Sequence, residues 1–142
     1  MALTGLVLHH HAVRMRPDKV AETLNFYQDV LGLEPDPGAR DVPDIPLSWL
    51  DTGNSTQIHV FGLEGISKYA KQPDQDPFTP HAAFGLPDIA AAKEELDRLQ
   101  VPYWTSGRGA AQLVFVNDHS GNMIELHQIG TCRCDRLSRK NA

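Results

Sequence analysis

Apolar and polar positions along the chain follow two periods in turn, and the switches between them mark its elements. "GLVLHHHAVRM" (residues 5–15) is an apolar, β-branched run that reads as a strand, with three histidines inside it. "RPDKVAETLNFYQDVLGLEP" then places Val20, Leu24, Tyr27 and Leu31 at helical spacing. Pro17 suits a first helical turn, Asp18 complements the positive end of the helix, and Gly32 suits its stop. "PLSWLDT" and "TQIHVFG" read as two further strands, separated by the turn "GNS".

The pattern then starts again. "TPHAAFGL" reads as a strand, and "PDIAAAKEELDRLQVPYW" as a helix with Ile89, Ala92, Leu96 and Leu99 on one face. "AAQLVFVND" and "GNMIELHQ" follow as strands joined by the turn "DHSGN". Each half is therefore strand, helix, then two or three strands, and "PD" opens both helices. Between the halves, "EGISKYAKQPDQDPF" is polar and without period, so it reads as a linker. "PDPGARDVPDIP", with four prolines, reads either as a lid or site-edge loop or as an ordinary surface insertion.

Duplication relates equivalent positions by approximate two-fold symmetry. His10 in the first strand of copy one then matches His81 in copy two, and His59 in the last strand matches Glu125. The separations, 49 and 44 residues, agree within a loop's tolerance. Strand alternation decides which histidine of the triplet belongs to the set. Val13 and Met15 belong under a covering helix, which turns His10, Ala12 and Arg14 to the opposite, concave face. His11 is the alternative to His10. In copy two His81, Ala83 and Gly85 share a face, and in the last strand Glu125 lies with Met123 and His127. His9, His119 and His127 are expected to be bystanders, Trp49 and Phe61 core, and Gln57 an outer partner of the site.

The donor set His10, His59, His81 and Glu125 suits one divalent ion, whether Zn, Ni, Fe, Co or Mn. Four protein ligands on a six-coordinate ion leave two adjacent positions for a substrate with neighbouring oxygens. Glu125 is the candidate base. Arg14 is expected either to pair with a substrate anion or to form a salt bridge within the protein.

Composition narrows the setting. With 142 residues, 41% hydrophobic and 22% charged, the chain is in the range of ordinary globular domains. A net charge of −5 argues against nucleic acid or an anionic membrane as partner. No apolar run approaches the roughly 20 residues that cross a bilayer, and the N-terminus lacks a basic leader, so a cytoplasmic location is expected. Cys132 and Cys134 lie in the basic tail "GTCRCDRLSRKNA" and are expected to be free thiols; a strained disulfide or a metal contact is the alternative.

"HHHAVRMR", "LNFYQDVLGLE", "PHAAFGL" and "VNDHSGNMIELHQ" together resemble the vicinal oxygen chelate superfamily, over about residues 5–128. That superfamily includes glyoxalase I, extradiol dioxygenases, fosfomycin-resistance thioltransferases, methylmalonyl-CoA epimerase and bleomycin-binding proteins. The resemblance implies an α+β fold of two tandem βαβββ modules, whose mixed sheet curls into a cup with the helices outside. It implies a single glyoxalase-like domain over 1–142: module one about 5–63, linker about 64–78, module two about 79–128, and tail 129–142. Its ligand positions fall on His10, His59, His81 and Glu125. It also implies a small-molecule substrate, a homodimer, and lyase, isomerase or dioxygenase chemistry; a metal-free, drug-binding module is the alternative. At the His59 position, proteins similar to glyoxalase I usually carry a glutamate that serves as a proton-transfer base, and this chain does not.

Overall fold

A computed structural model describes residues 2–132. Eight strands, parallel and antiparallel, and two α-helices give the α+β class expected, and among the described residues no helix is long and apolar enough to cross a membrane. The chain divides into two compact units, His10–Pro80 and residues 2–9 with His81–Cys132.

In the His10–Pro80 unit the strands are hydrogen-bonded in the order β2-β3-β4-β1: β1 (Val7–Met15), β2 (Glu34–Pro35), β3 (Leu47–Asp51) and β4 (Gln57–Gly62). β1 runs parallel to β4, with His10 opposite Gln57 and Ala12 opposite His59. β3 runs antiparallel to β4, with Trp49 opposite His59. Alternation separates two apolar faces. Met15, Leu50 and Val60 pack with Val13, Val20, Leu24, Tyr27 and Ile58 on the helical side. On the other face Ala12, Ile45 and Phe61 pack with Leu47 and Phe78.

The helical segment differs from the simple period. A 3-10 turn (Pro17–Lys19) leads into α1 (Val20–Asn25), and Phe26–Val30 is a π-helical turn. The Leu31 amide bonds the Phe26 carbonyl, five residues back. A π turn takes in more residues than an α turn, so positions after Tyr27 rotate off the buried face. Leu31, expected in the core, is 52% exposed, and Leu33 packs there instead.

The other unit contains β5 (His81–Leu86), α2 (Ile89–Arg98), β6 (Trp104–Ser106), β7 (Leu113–Asn117) and β8 (Met123–Gln128), with strand order β5-β8-β7-β6. β5 and β8 are parallel and pair Ala83 with Glu125 and Gly85 with His127. Antiparallel pairing continues the row from Glu125 to Phe115 and then to Trp104. The Asp88 carboxylate caps α2 by accepting from the Ala90 and Ala91 amides at 3.0 and 3.1 Å. Ile89, Ala92 and Leu96 then bury against Leu86, Val114 and Leu126. Leu99, expected on that stripe, is 39% exposed, because the helix stops at Arg98 and Gln100 turns left-handed at φ 59°.

The turn between β7 and β8 sets where Glu125 begins. Asp118 accepts from the Ser120 and Asn122 amides at 2.8 and 2.9 Å and from Asn122 Nδ2 at 2.8 Å. The Asn122 side-chain hydrogen bond, then its backbone amide, hold the Asp118 carboxyl below its ordinary pKa. A depressed pKa contributes stability above the unfolded value that is lost as pH falls through the folded one. Asp118→Ala is therefore expected to lower the thermal midpoint at pH 7. The gap from wild type should close as pH falls below about 4. Thermal melts across that range check it; a gap independent of pH would contradict it.

Candidate functional site

In the His10–Pro80 unit, parallel pairing puts His10 and His59 on one face of neighbouring strands. Their rings stack with centroids 3.7 Å apart and planes 15° from parallel. Trp49, across from His59 on β3, stacks on it at 4.7 Å and 9°. His59 therefore lies between an indole and an imidazole, and its ring plane is fixed. Its Nε2 is 2.8 Å from Gln57 Oε1. The Gln57 amide nitrogen donates to Asp36 Oδ2 and Asp51 Oδ1, each at 2.8 Å. Gln57 is 1% exposed and Asp36 3%. Gln57 thus meets His59 directly, from the same strand face.

In the other unit β5 contributes His81 and β8 contributes Glu125. His81 Nε2 is 3.5 Å from Glu125 Oε1, and His127 Nδ1 is 3.5 Å from Oε2. Charge-assisted N–H···O bonds are shorter, about 2.7–2.9 Å. Two ligands each about 2.1 Å from an ion sit roughly 3.0 Å apart at the right angle of a six-coordinate shell and roughly 3.4 Å apart at the tetrahedral angle. The His81–Glu125 spacing is compatible with donors gathered around one cation, and an imidazole–carboxylate donor set suits a divalent ion. His127 meets His9 edge-on at 4.4 Å. Gly85 makes room for that ring: a Cβ there would be 3.0 Å from Ile129 Cγ1 and 3.3 Å from His127 Nε2.

Two expected bystanders are thus buried, His127 beside Glu125 and His9 against the His127 ring. Alternation along β1 leaves only one of His9 and His10 on a given face, yet both are buried. The strand is shared: residues up to His9 belong to one unit and those from His10 to the other. Each neighbour finds a ring in its own unit. His11 and His119 are exposed. Trp49 and Phe61 are buried, Trp49 on the His59 ring and Phe61 against Phe78.

Arg14 is committed to a loop. Its Nε donates to the Phe78 carbonyl at 3.0 Å, Nη1 to the Gly65 carbonyl at 2.7 Å, and Nη2 faces Asp76 Oδ2 at 3.5 Å. Asp76, 2% exposed, also takes the Ser67 amide and hydroxyl at 2.7 Å each and the Phe78 amide at 3.0 Å. The stretch read as a linker is pinned down, and of the two expectations for Arg14 these contacts match the internal salt bridge. Cys132 is disulfide-bonded, a correction to the free thiol expected. Cys134 and the rest of the tail fall outside the described residues.

The family model of the Glyoxalase/Bleomycin resistance protein/Dioxygenase superfamily matches residues 8–126. The chain belongs to this superfamily. Among its relatives it is 28% identical to glyoxylase I 4 of Arabidopsis thaliana over 134 residues, covering 92% of this chain and 72% of that protein. Methylmalonyl-CoA epimerase from Mycobacterium tuberculosis shares the fold at TM-score 0.66 and 26% identity, over 90% of this chain and 92% of that one. Homoprotocatechuate 2,3-dioxygenase from Brevibacterium fuscum matches at TM-score 0.62 and 14% identity, over 97% of this chain but only 42% of the larger enzyme. That last likeness concerns the fold alone. Superfamily membership thus spans glyoxalases, epimerases and dioxygenases, and the side chains must separate them.

Four residues at or around this site escaped sequence reasoning: Asp36, Asp51, His9 and His127. His127 had a signal, since it shares the strand face of Glu125. Asp36 had none, because it acts from an aperiodic loop. The Arg14 geometry yields a direct expectation. Arg14→Gln should cost about 1.5–3 kcal/mol of stability and open residues 65–78 to protease. Denaturant melts and limited proteolysis check this; unchanged stability and protection would return Arg14 to the substrate.

Proposed function

We propose that the protein is a metal-dependent enzyme of this superfamily, acting on a small molecule with two neighbouring oxygens. His10 and His59 from one βαβββ copy, and His81 and Glu125 from the other, would together hold one divalent ion; Zn, Ni, Fe, Co and Mn all suit these donors. The observation that carries the reading is Glu125 itself: a buried carboxylate with each oxygen 3.5 Å from a buried imidazole, in a chain of this superfamily. When bound, the ion supplies Lewis acidity toward a developing enediolate or alkoxide.

The chain's own residues account for the rest. Glu125 offers Oε1 toward His81 and keeps Oε2 as a proton acceptor, with His127 beside it to orient that oxygen. Ala83, opposite Glu125 on β5, has only a methyl and leaves space above the carboxylate. Phe115 and Trp104 extend the row from Glu125 as stacked rings 4.1 Å apart, an apolar wall for the substrate body. The Trp104 indole N–H is buried without a partner among the described residues, and a substrate oxygen would satisfy it. A glutamate ligand at position 59 is absent, which favours proton transfer through Glu125 over a base on β4. Exposed Leu6, Val7, Leu8 and Ile129 supply apolar surface for the homodimer we include in this reading.

Elemental analysis of protein reconstituted with zinc, nickel, iron, cobalt or manganese tests the proposal. Wild type should retain about one ion per chain. His10→Ala, His81→Ala and Glu125→Ala should each weaken binding by more than the 10–100-fold typical of losing an outer partner. No stoichiometric binding of any of these ions would overturn it. Binding of a planar antibiotic to that metal-free protein would then favour the drug-binding alternative.

A further inference from the structure

The ring of His59 has two nitrogens, and only one of them can carry the hydrogen in the neutral form. Its surroundings decide which. Asp36 and Asp51 are carboxylates 2.8 Å from the Gln57 side-chain nitrogen. Ionised carboxylates only accept, so the Gln57 amide must turn both N–H groups toward them. The flipped amide would put its oxygen against two carboxylates. Gln57 Oε1 is therefore what faces His59 Nε2 at 2.8 Å. An amide oxygen also only accepts, so His59 Nε2 must donate. Trp49 and His10 stack on the ring and hold its plane, and a half-turn that keeps that plane would set a ring carbon, not Nε2, against Gln57 Oε1.

We propose that Gln57, held by Asp36 and Asp51, is a positioning residue that fixes His59 as the Nε2–H tautomer and makes Nδ1 its ion-binding nitrogen. As a ligand assignment this rests on the proposed function; as a tautomer assignment it does not. Metal-bound histidines commonly donate their other N–H to an acceptor that orients the ring and raises its basicity. Here the acceptor is an amide, with two carboxylates behind it. Neutral glutamine spaces those charges from the imidazole, so the ring is aimed without a carboxylate in direct contact. The arrangement also gives the proline-rich segment over 35–46 a role. Its Asp36 is anchored by its own amide to the Trp49 carbonyl at 2.7 Å and by Oδ1 to the Gly38 amide at 2.7 Å. One loop residue thereby braces both the stacking indole and the relay behind His59.

The test is long-range nitrogen–proton correlation NMR on metal-free protein with labelled histidine, together with zinc titration against a competing chelator. Wild-type His59 should show the Nε2–H pattern at neutral pH. Gln57→Leu should lose that fixed pattern and bind zinc about 10–100-fold more weakly. An Nδ1–H or imidazolium His59 in wild type would overturn the inference, and that spectrum decides even if the Leu variant fails to fold. An Nε2–H pattern with zinc affinity unchanged in a folded Gln57→Leu variant would overturn the ligand role. An Nε2–H pattern in a wild type that binds none of zinc, nickel, iron, cobalt and manganese would support the tautomer assignment and remove the proposed function instead.

Discussion

Taking a carboxylate or an imidazolium out of water is expensive unless a partner of opposite character meets it. Among the described residues, acidic side chains are buried in three settings, and each meets the cost differently. Asp76 meets a permanent cation, Arg14, plus hydrogen-bond donors from Ser67 and Phe78, and the result is a pinned loop. Asp36 meets neutral donors, the Gln57 amide and the Gly38 amide, and the result is an oriented histidine. Glu125 meets imidazoles at a distance too long for a tight hydrogen bond. The first two settings belong to the scaffold, and the third is where the proposed function places an ion.

The strands make these settings possible by what they omit. Ala83 and Gly85 face Glu125 and His127 across parallel pairing, so the carboxylate and the ring have room that larger side chains would occupy. Ala12 does the same opposite His59. The faces turned toward the helices carry the large residues instead, Leu86 and Leu126 in one unit and Met15 and Val60 in the other. Volume is spent on stability on one face and withheld on the other. Membership of a superfamily spanning several chemistries fits this economy, because the sheet supplies the frame and a few side chains set the reaction.

Much of this was legible in the sequence. Period-two runs located β1, β4, β5 and β8, and the repeat of the whole pattern suggested the set His10, His59, His81 and Glu125 on which the proposed function rests. What was not legible has identifiable causes. Leu31 left the core because a π turn changed the helical phase, which periodicity cannot anticipate. β6, three residues long, is too short to show a period. His9 was set aside by an alternation rule that assumes one strand serves one environment, whereas β1 serves two units. Asp36 and the acceptors of Arg14 lie in stretches without period, where contacts are made by the folded loop alone. The identity of the residue that braces His59 thus required coordinates, while the histidine itself did not.

X-ray absorption of wild-type protein reconstituted with zinc addresses the central claim, that donors from both copies of the repeat meet at one ion. The account predicts one zinc per chain in a nitrogen–oxygen shell at about 2.0–2.1 Å, with scattering from at least two imidazoles and no sulfur. Two zinc ions per chain, a single imidazole in the shell, or a sulfur ligand would contradict it.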